Sequence, residues 1–241
     1  INLCLNIGAA AVSGQVKPRN MSLNGTPART LAYQLYQDAG HTKVWGSQYQ
    51  SVTTFPMVQL NLLNLTPVTG SLTVSAQIVT PQTSAVPGSY QDSDTAATAL
   101  VTLNPGLLFP PTTCGDTVAA RLPFTVSATV SKQCNITSAT NISFAPAGAT
   151  GRNLTASNTV GVACSNNTPY TIGLQPSNGN TAGSGVMAGT GSNTDKVPYQ
   201  LSSTPGPSGT VWGHSSLNTV AGNGTGTPHH YPDSATAPLA H

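Results

Sequence analysis

The sequence predicts an all-β protein built from two tandem modules, and three observations carry that prediction. A stretch occurs twice: Leu31-Ala-Tyr-Gln-Leu35, a polar turn and Val44-Trp45-Gly46, then far downstream Val197-Pro-Tyr-Gln-Leu201, a polar turn and Val211-Trp212-Gly213. Each copy follows a methionine, Met21 or Met187, and further upstream a cysteine within an alternating apolar stretch, Cys4 or Cys164. Four landmarks in one order indicate duplication of a module. The second observation is that only 6% of the 241 residues are charged and none is glutamate. Long helices, whose exposed faces draw on Glu, Lys and Arg, are therefore not expected. Third, the bulk of the chain is Thr, Ser, Asn, Gly, Val, Ala and Pro, which suits short strands joined by tight turns.

Taken in order, residues 1–7 alternate as a strand, Gly8–Gly14 is a small-residue turn, and Leu31–Tyr36 is the strand of the repeated motif. Asp38–His41 turns the chain, and Val44-Trp45 begins a return strand. An apolar stretch, 55–65, comes next, then Leu72–Val79, whose strict alternation makes it the clearest strand in the chain. Ala96–Leu103 is a further strand. Pro105, Pro110 and Pro111 mark the join, giving modules 1–108 and 109–241. The second module is expected to open with Leu122–Val130, followed by Cys134–Ile136, Ile142–Phe144, Val160–Cys164 and Pro169–Leu174. A Gly/Ser/Asn run over 176–195 reads as a linker or hairpin loop. Beyond Asn218 the pattern dissolves, with no counterpart for the 72–79 strand.

Several function classes drop out on composition. A net charge of +2 without a basic cluster offers no footprint for nucleic acid or for an anionic membrane surface. No stretch approaches the roughly 18 consecutive apolar residues of a transmembrane helix. Catalysis finds no support either: carboxylate pairs are scarce, and neither His41 nor His214 accompanies a nucleophile pattern. No cofactor or metal site is expected. His229-His230 reads as a tail, and Asp92 and Asp94 as a surface turn, since they lack the ligand spacing of a calcium loop. Four cysteines without a metal-ligand spacing point to disulfides and an oxidising compartment. Cys134 and Cys164, in adjacent strands, are the preferred pair. Cys4 and Cys114 either pair with each other or leave Cys4 with a partner further upstream.

The ordered set Phe124-Thr-Val-Ser-Ala, Cys134-Asn-Ile, Ile142-Ser-Phe144, Gly161-Val-Ala-Cys164, Pro169-Tyr-Thr-Ile, Met187, Tyr199-Gln-Leu201 and Val211-Trp-Gly213 resembles the spore coat protein U domain family. That family includes subunits of archaic chaperone–usher pili. Residues 16–103 resemble the later half of the same domain through Arg19-Asn-Met21, Leu31–Asp38, Val44-Trp-Gly46, Leu72–Val79 and Ser89-Tyr90. The resemblance implies two immunoglobulin-like, pilin-type β-sandwiches, at least one incomplete and completed by a donated strand. It implies a periplasmic chaperone and an adjacent subunit as partners, and export to the cell surface. With two modules, the chain resembles a tip adhesin that attaches to surfaces and supports biofilm formation. The alternatives are a non-adhesive fibre or coat subunit, or a secreted carbohydrate-binding sandwich.

Comparison of the two copies singles out the contact residues. Between Trp-Gly and the next strand, the second module is polar over Ser215–Gly226, whereas the first carries Phe55, Met57, Val58, Leu60, Leu62, Leu63 and Leu65. Phe55, Met57, Val58, Leu60, Leu62 and Leu63 are the candidates for binding an abiotic or host surface. Alternation over Val58–Leu62 also favours a core or edge strand. Tyr33, Trp45, Tyr199 and Trp212 recur in register, which assigns them to the module core.

Overall fold

The computed structural model describes residues 1–51, 53–60, 69–95, 97–106, 111–148 and 153–238, and among them there is no helix. They divide into two compact units, Ile1–Val130 and Ser131–His241. In chain order the first unit holds β1 (Asn2–Ile7), β2 (Arg19–Leu23), β3 (Thr26–Tyr36), β4 (Met57–Gln59), β5 (Ser75–Ile78), β6 (Gly88–Asp94), β7 (Ala99–Asn104), β8 (Thr117–Arg121) and β9 (Phe124–Val130). They pair antiparallel as two sheets, β4-β1-β7-β8 and β5-β3-β2-β6-β9. Ile7, Met21, Leu23, Leu31, Tyr33, Leu35, Trp45 and Tyr90 form the core of this sandwich. Each large apolar side chain fully buried there contributes roughly 1.5–3 kcal/mol.

The second unit holds β10 (Cys134–Ala139), β11 (Leu154–Cys164), β12 (Pro169–Ile172), β13 (Ser184–Ala188), β14 (Lys196–Ser202), β15 (Val220–Asn223) and β16 (Pro228–Ala237). One sheet runs β10-β11-β16-β14-β13, and β12 pairs with β15. Val160, Val162 and Cys164 are buried together, with Tyr170 and Ile172 packed against them. Both cysteine pairs are disulfides, Cys134–Cys164 between neighbouring strands and Cys4–Cys114 within the first unit.

The structure corrects the expected join. Phe124–Val130, anticipated as the opening strand of the second module, pairs residue for residue with β6 of the first unit. Phe124, Val126, Ala128 and Val130 pack on the first unit's core. The boundary therefore falls between Val130 and Ser131, not at 108/109. The proline-rich segment becomes a connection from β7 to β8 inside the first unit, and Leu107, Leu108 and Phe109 lie outside the described residues.

Three further expectations change. The residues after Asn218 form β15 and β16, so His229 and His230 stand in a strand. Pairing register identifies β16 as the counterpart of β5: Gln34, Leu35 and Tyr36 pair with Gln77, Ala76 and Ser75, and Gln200, Leu201 and Ser202 with Thr236, Ala235 and Ser234. The periodicity signal was weak there because Asp233 and Ser234 stand where Val74 and Ser75 stand in the first unit. Leu72–Val79 shortens to β5, which has one neighbouring strand, whereas β16 lies between β11 and β14. Leu72, Val74 and Ile78 consequently remain 46%, 42% and 39% exposed. Val44 and Trp45 make isolated bridges to Tyr36 and Thr54 and not a full return strand, and Ile142–Phe144 is loop.

A fragment ending at Val130 is expected to melt cooperatively, and one ending at Leu108 to show no transition. Circular dichroism melting of the two fragments in oxidising buffer decides where the first unit ends.

Candidate surface-contact face and strand-acceptor groove

The repeated motif is scaffold in both units, through the same bonds. The indole N–H of Trp45 donates to the Leu5 carbonyl at 3.0 Å, and that of Trp212 to the Ile172 carbonyl at 2.9 Å. The side-chain amide of Gln34 donates to the Val16 carbonyl, and that of Gln200 to the Ala182 carbonyl, at 2.8 and 2.9 Å. Gly46 accepts a backbone N–H bond from Ile7 at the end of β1, and Gly213 one from Leu174 just past the end of β12. A Cβ on Gly46 would collide with Thr53, and one on Gly213 with the Thr181 carbonyl, so the glycine after tryptophan is a requirement of close approach. These bonds align β1 with β12, not with the Val160–Cys164 strand that the cysteine spacing suggested. Trp45, Trp212 and Tyr33 are buried, and Tyr199 is half-buried.

Register divides the surface candidates. Met57 pairs with Cys4 and Val58 with Leu3, and paired residues share a face of the sheet. Cys4 is fully buried beside Cys114 on the outer side of β1, so Met57 belongs to that side, at 50% exposure. Phe55 and Met57 line a shallow groove of about 300 Å³ with Gln48, Thr112, Thr113 and Cys114. Val58 is half-buried on the inward side with Leu3, and Leu60 is tied to Ile1 by backbone bonds in both directions at 2.8 and 3.0 Å. Leu62 and Leu63 lie outside the described residues. Sequence reasoning missed Tyr49, 58% exposed and next to Gln48, because an isolated aromatic in a polar loop carries no periodic signal.

Beneath the first unit's core sits a buried polar network that the sequence placed on a surface turn. Asp92 and Asp94 alternate inward along β6 and are 2% and 3% exposed. The Tyr33 hydroxyl donates to Asp92 at 2.6 Å, and the Ala11 backbone N–H donates to the other oxygen at 3.2 Å. Arg19, wholly buried, lies 3.7 Å from Asp94 and donates to the carbonyls of Ile7 and Trp45 at 2.9 and 3.3 Å. Burial pushes the Asp94 carboxyl up to about 6, with Arg19 opposing and Asp92 reinforcing the shift. Burial and the bond to Asp92 likewise raise the Tyr33 hydroxyl. The alternation Tyr90, Asp92, Asp94 is a core-strand pattern in which two positions happen to be charged.

The second unit presents a groove of about 540 Å³, lined by Phe144, Leu174, Met187, Tyr199, Leu201, Asp233 and Ala235 among others. Four of these match buried core residues of the first unit: Leu174 answers Ile7, Met187 answers Met21, Tyr199 answers Tyr33 and Leu201 answers Leu35. In the first unit those residues are buried in the core against which Phe124, Val126, Ala128 and Val130 of β9 pack. In the second they line an open groove together with polar residues that include Asn141, Gln175 and Asp233.

The sequence pattern of the Spore Coat Protein U domain matches residues 1–97 and again 120–237. The chain belongs to the spore coat protein U domain family. No curated protein matches it. Among solved structures, the chaperone–tip adhesion subunit pre-assembly complex CsuC–CsuE, from archaic Csu pili of Acinetobacter baumannii, is similar at TM-score 0.55 and 17% identity, covering 98% of this chain and 77% of that one. A chaperone–tip adhesin complex of CFA/I fimbriae is more distant, at TM-score 0.35 and 13% identity, with 93% and 69% covered. The second matched span of this spore coat protein U member begins at residue 120, ahead of β9, although β9 completes the first unit.

The folded-state value of Asp94 lies above the ordinary carboxylate value of 3.8. Its contribution to stability is therefore full below that value and is lost as pH rises through about 6. Wild-type protein is expected to lose about 2 kcal/mol more stability between pH 4 and pH 7 than the Asp94→Asn variant. Urea unfolding at the two pH values measures the difference.

Proposed function

We propose that this chain is the tip subunit of a chaperone–usher pilus, attaching to surfaces through its first unit and joining the fibre through its second. The observation that carries this reading is an asymmetry between the units. In the first, β7 and β6 are already flanked by β8 and β9 of the same chain. In the second, the groove walled by Leu174, Met187, Tyr199 and Leu201 suits a strand supplied by a periplasmic chaperone or by the next subunit. Such a subunit travels through the periplasm to the cell surface, where disulfides persist. The similar CsuC–CsuE complex, a chaperone with a tip adhesion subunit, supports the same assignment.

Phe55 and Met57 on the outer side of the β4-β1-β7-β8 sheet are the contact residues. Tyr49, exposed and next in sequence to the groove-lining Gln48, is a further aromatic candidate, and the flexible thioether of Met57 adapts to ill-defined apolar targets. Leu60 follows in the same stretch of sequence, and Leu62 and Leu63, which lie outside the described residues, are its remaining candidates. Nothing in this role calls for a catalytic group, and the family role is structural and adhesive.

Replacing Phe55 and Met57 together by serine is expected to abolish attachment of pilus-bearing cells to polystyrene while leaving secretion and melting temperature unchanged. Val58→Ser is expected to lower the melting temperature and to affect attachment far less. Normal attachment by the double variant, measured by crystal violet retention, overturns the assignment of the contact face and favours a non-adhesive fibre subunit.

A further inference from the structure

Asp233 lies in β16 at 6% exposure, and it lines the groove of the second unit. Its Oδ1 has no hydrogen-bond partner. A carboxylate held this way is unstable unless it is neutralised or paired, because burial removes its hydration and nothing replaces it. Burial accordingly pushes the Asp233 carboxyl above its ordinary value, opposed by its own backbone N–H.

The first unit shows how the same kind of sandwich treats buried carboxylates once it is closed. There Asp94 has the Arg19 guanidinium 3.7 Å away as an ion pair, although neither of its oxygens is hydrogen-bonded, and the Tyr33 hydroxyl bonds Asp92. Arg19 stands two residues before Met21, and the residue two before Met187 is Gly185. A Cβ on Gly185 would already collide with the ring of Tyr199, so no arginine fits there. The second unit therefore keeps a buried carboxylate in its groove and has no room for the matching cation on β13.

We propose that the strand donated by another polypeptide to this groove carries a lysine or arginine among its inward-facing residues, and that this head group pairs with Asp233. The proposal rests on the reading of the second unit as a strand acceptor. Inward side chains of a strand alternate, so a single basic position among apolar ones also sets register. A slip by one residue turns the cation outward, and a slip by two carries it about 7 Å from the carboxylate. A strand with only apolar inward residues leaves Asp233 unpaired and binds roughly tenfold to a hundredfold more weakly. Asp233 thereby selects both the partner and its alignment.

The test uses the full chain and labelled peptides copying Phe124–Val130, the sequence that closes the first unit, with F124K, V126K, A128K and V130K versions, read by fluorescence anisotropy. At least one lysine peptide is expected to bind tenfold or more tightly than the parent peptide. That advantage is expected to vanish in the Asp233→Asn protein and to persist in Asp233→Glu, with Asp233→Asn melting no lower than wild type. Lysine peptides that bind no better than the parent, or an advantage that survives Asp233→Asn, overturn the proposal while leaving the acceptor reading intact. Failure of every peptide, the parent included, overturns the acceptor reading and this inference with it.

Discussion

Seven consecutive residues of β6, Gly88–Asp94, pair with Phe124–Val130, and the first unit depends on that contact. The pairing satisfies the backbone of β6 along its outer edge, where unmet donors and acceptors would otherwise invite other strands. On the inward face, Phe124, Val126, Ala128 and Val130 cover the core that Met21, Tyr33, Leu35 and Tyr90 build. The Cys4–Cys114 disulfide prepares this arrangement by holding the chain beside β1, so that β8 runs along β7 and β9 continues along β6. Cross-linking residues 110 apart in sequence removes about 4–5 kcal/mol of chain entropy from the unfolded state on the loop-closure argument. The closing strand is thus presented at high effective concentration rather than captured from solution.

The two units share a scaffold and differ where function is expected. Tryptophan, glycine and glutamine make the same bonds in each, which holds the two sheets at one spacing. Around that frame, Arg19 is replaced by Gly185, and Met57 by Ala221 at the same register on the first sheet strand. One unit is closed, internally charged and apolar on an outer face. The other has a channel whose walls are the same core side chains, half-covered, with a carboxylate in the lining. Divergence after duplication has acted on what covers the core, not on the core motif.

The surface candidates show why a site is harder to read than a fold. The contrast between Phe55–Leu65 and Ser215–Gly226 was visible as composition, and the aligned strands β4 and β15 do occupy equivalent places. Which residues face outward depended on a register that no local pattern states, since Met57 and Val58 are both apolar neighbours. Asp92 and Asp94 were misread for the opposite reason: charged residues suggest solvent, and only the position of Arg19 and Tyr33 across the strand makes their burial tolerable.

Sequence by itself determined the all-β class, the duplication and the scaffold role of Tyr33, Trp45 and Trp212, because each rests on local periodicity or on recurrence within the chain; it favoured the Cys134–Cys164 pair, which the structure settled. Tertiary structure decided the ownership of Phe124–Val130, the Cys4–Cys114 link, the burial of Asp92, Asp94 and Asp233, and the strand at 228–237. The physical reason is that an alternating apolar strand fits any sandwich with an open edge. Which edge it takes is settled by the tether and by long-range pairing, and neither is written in the strand's own residues.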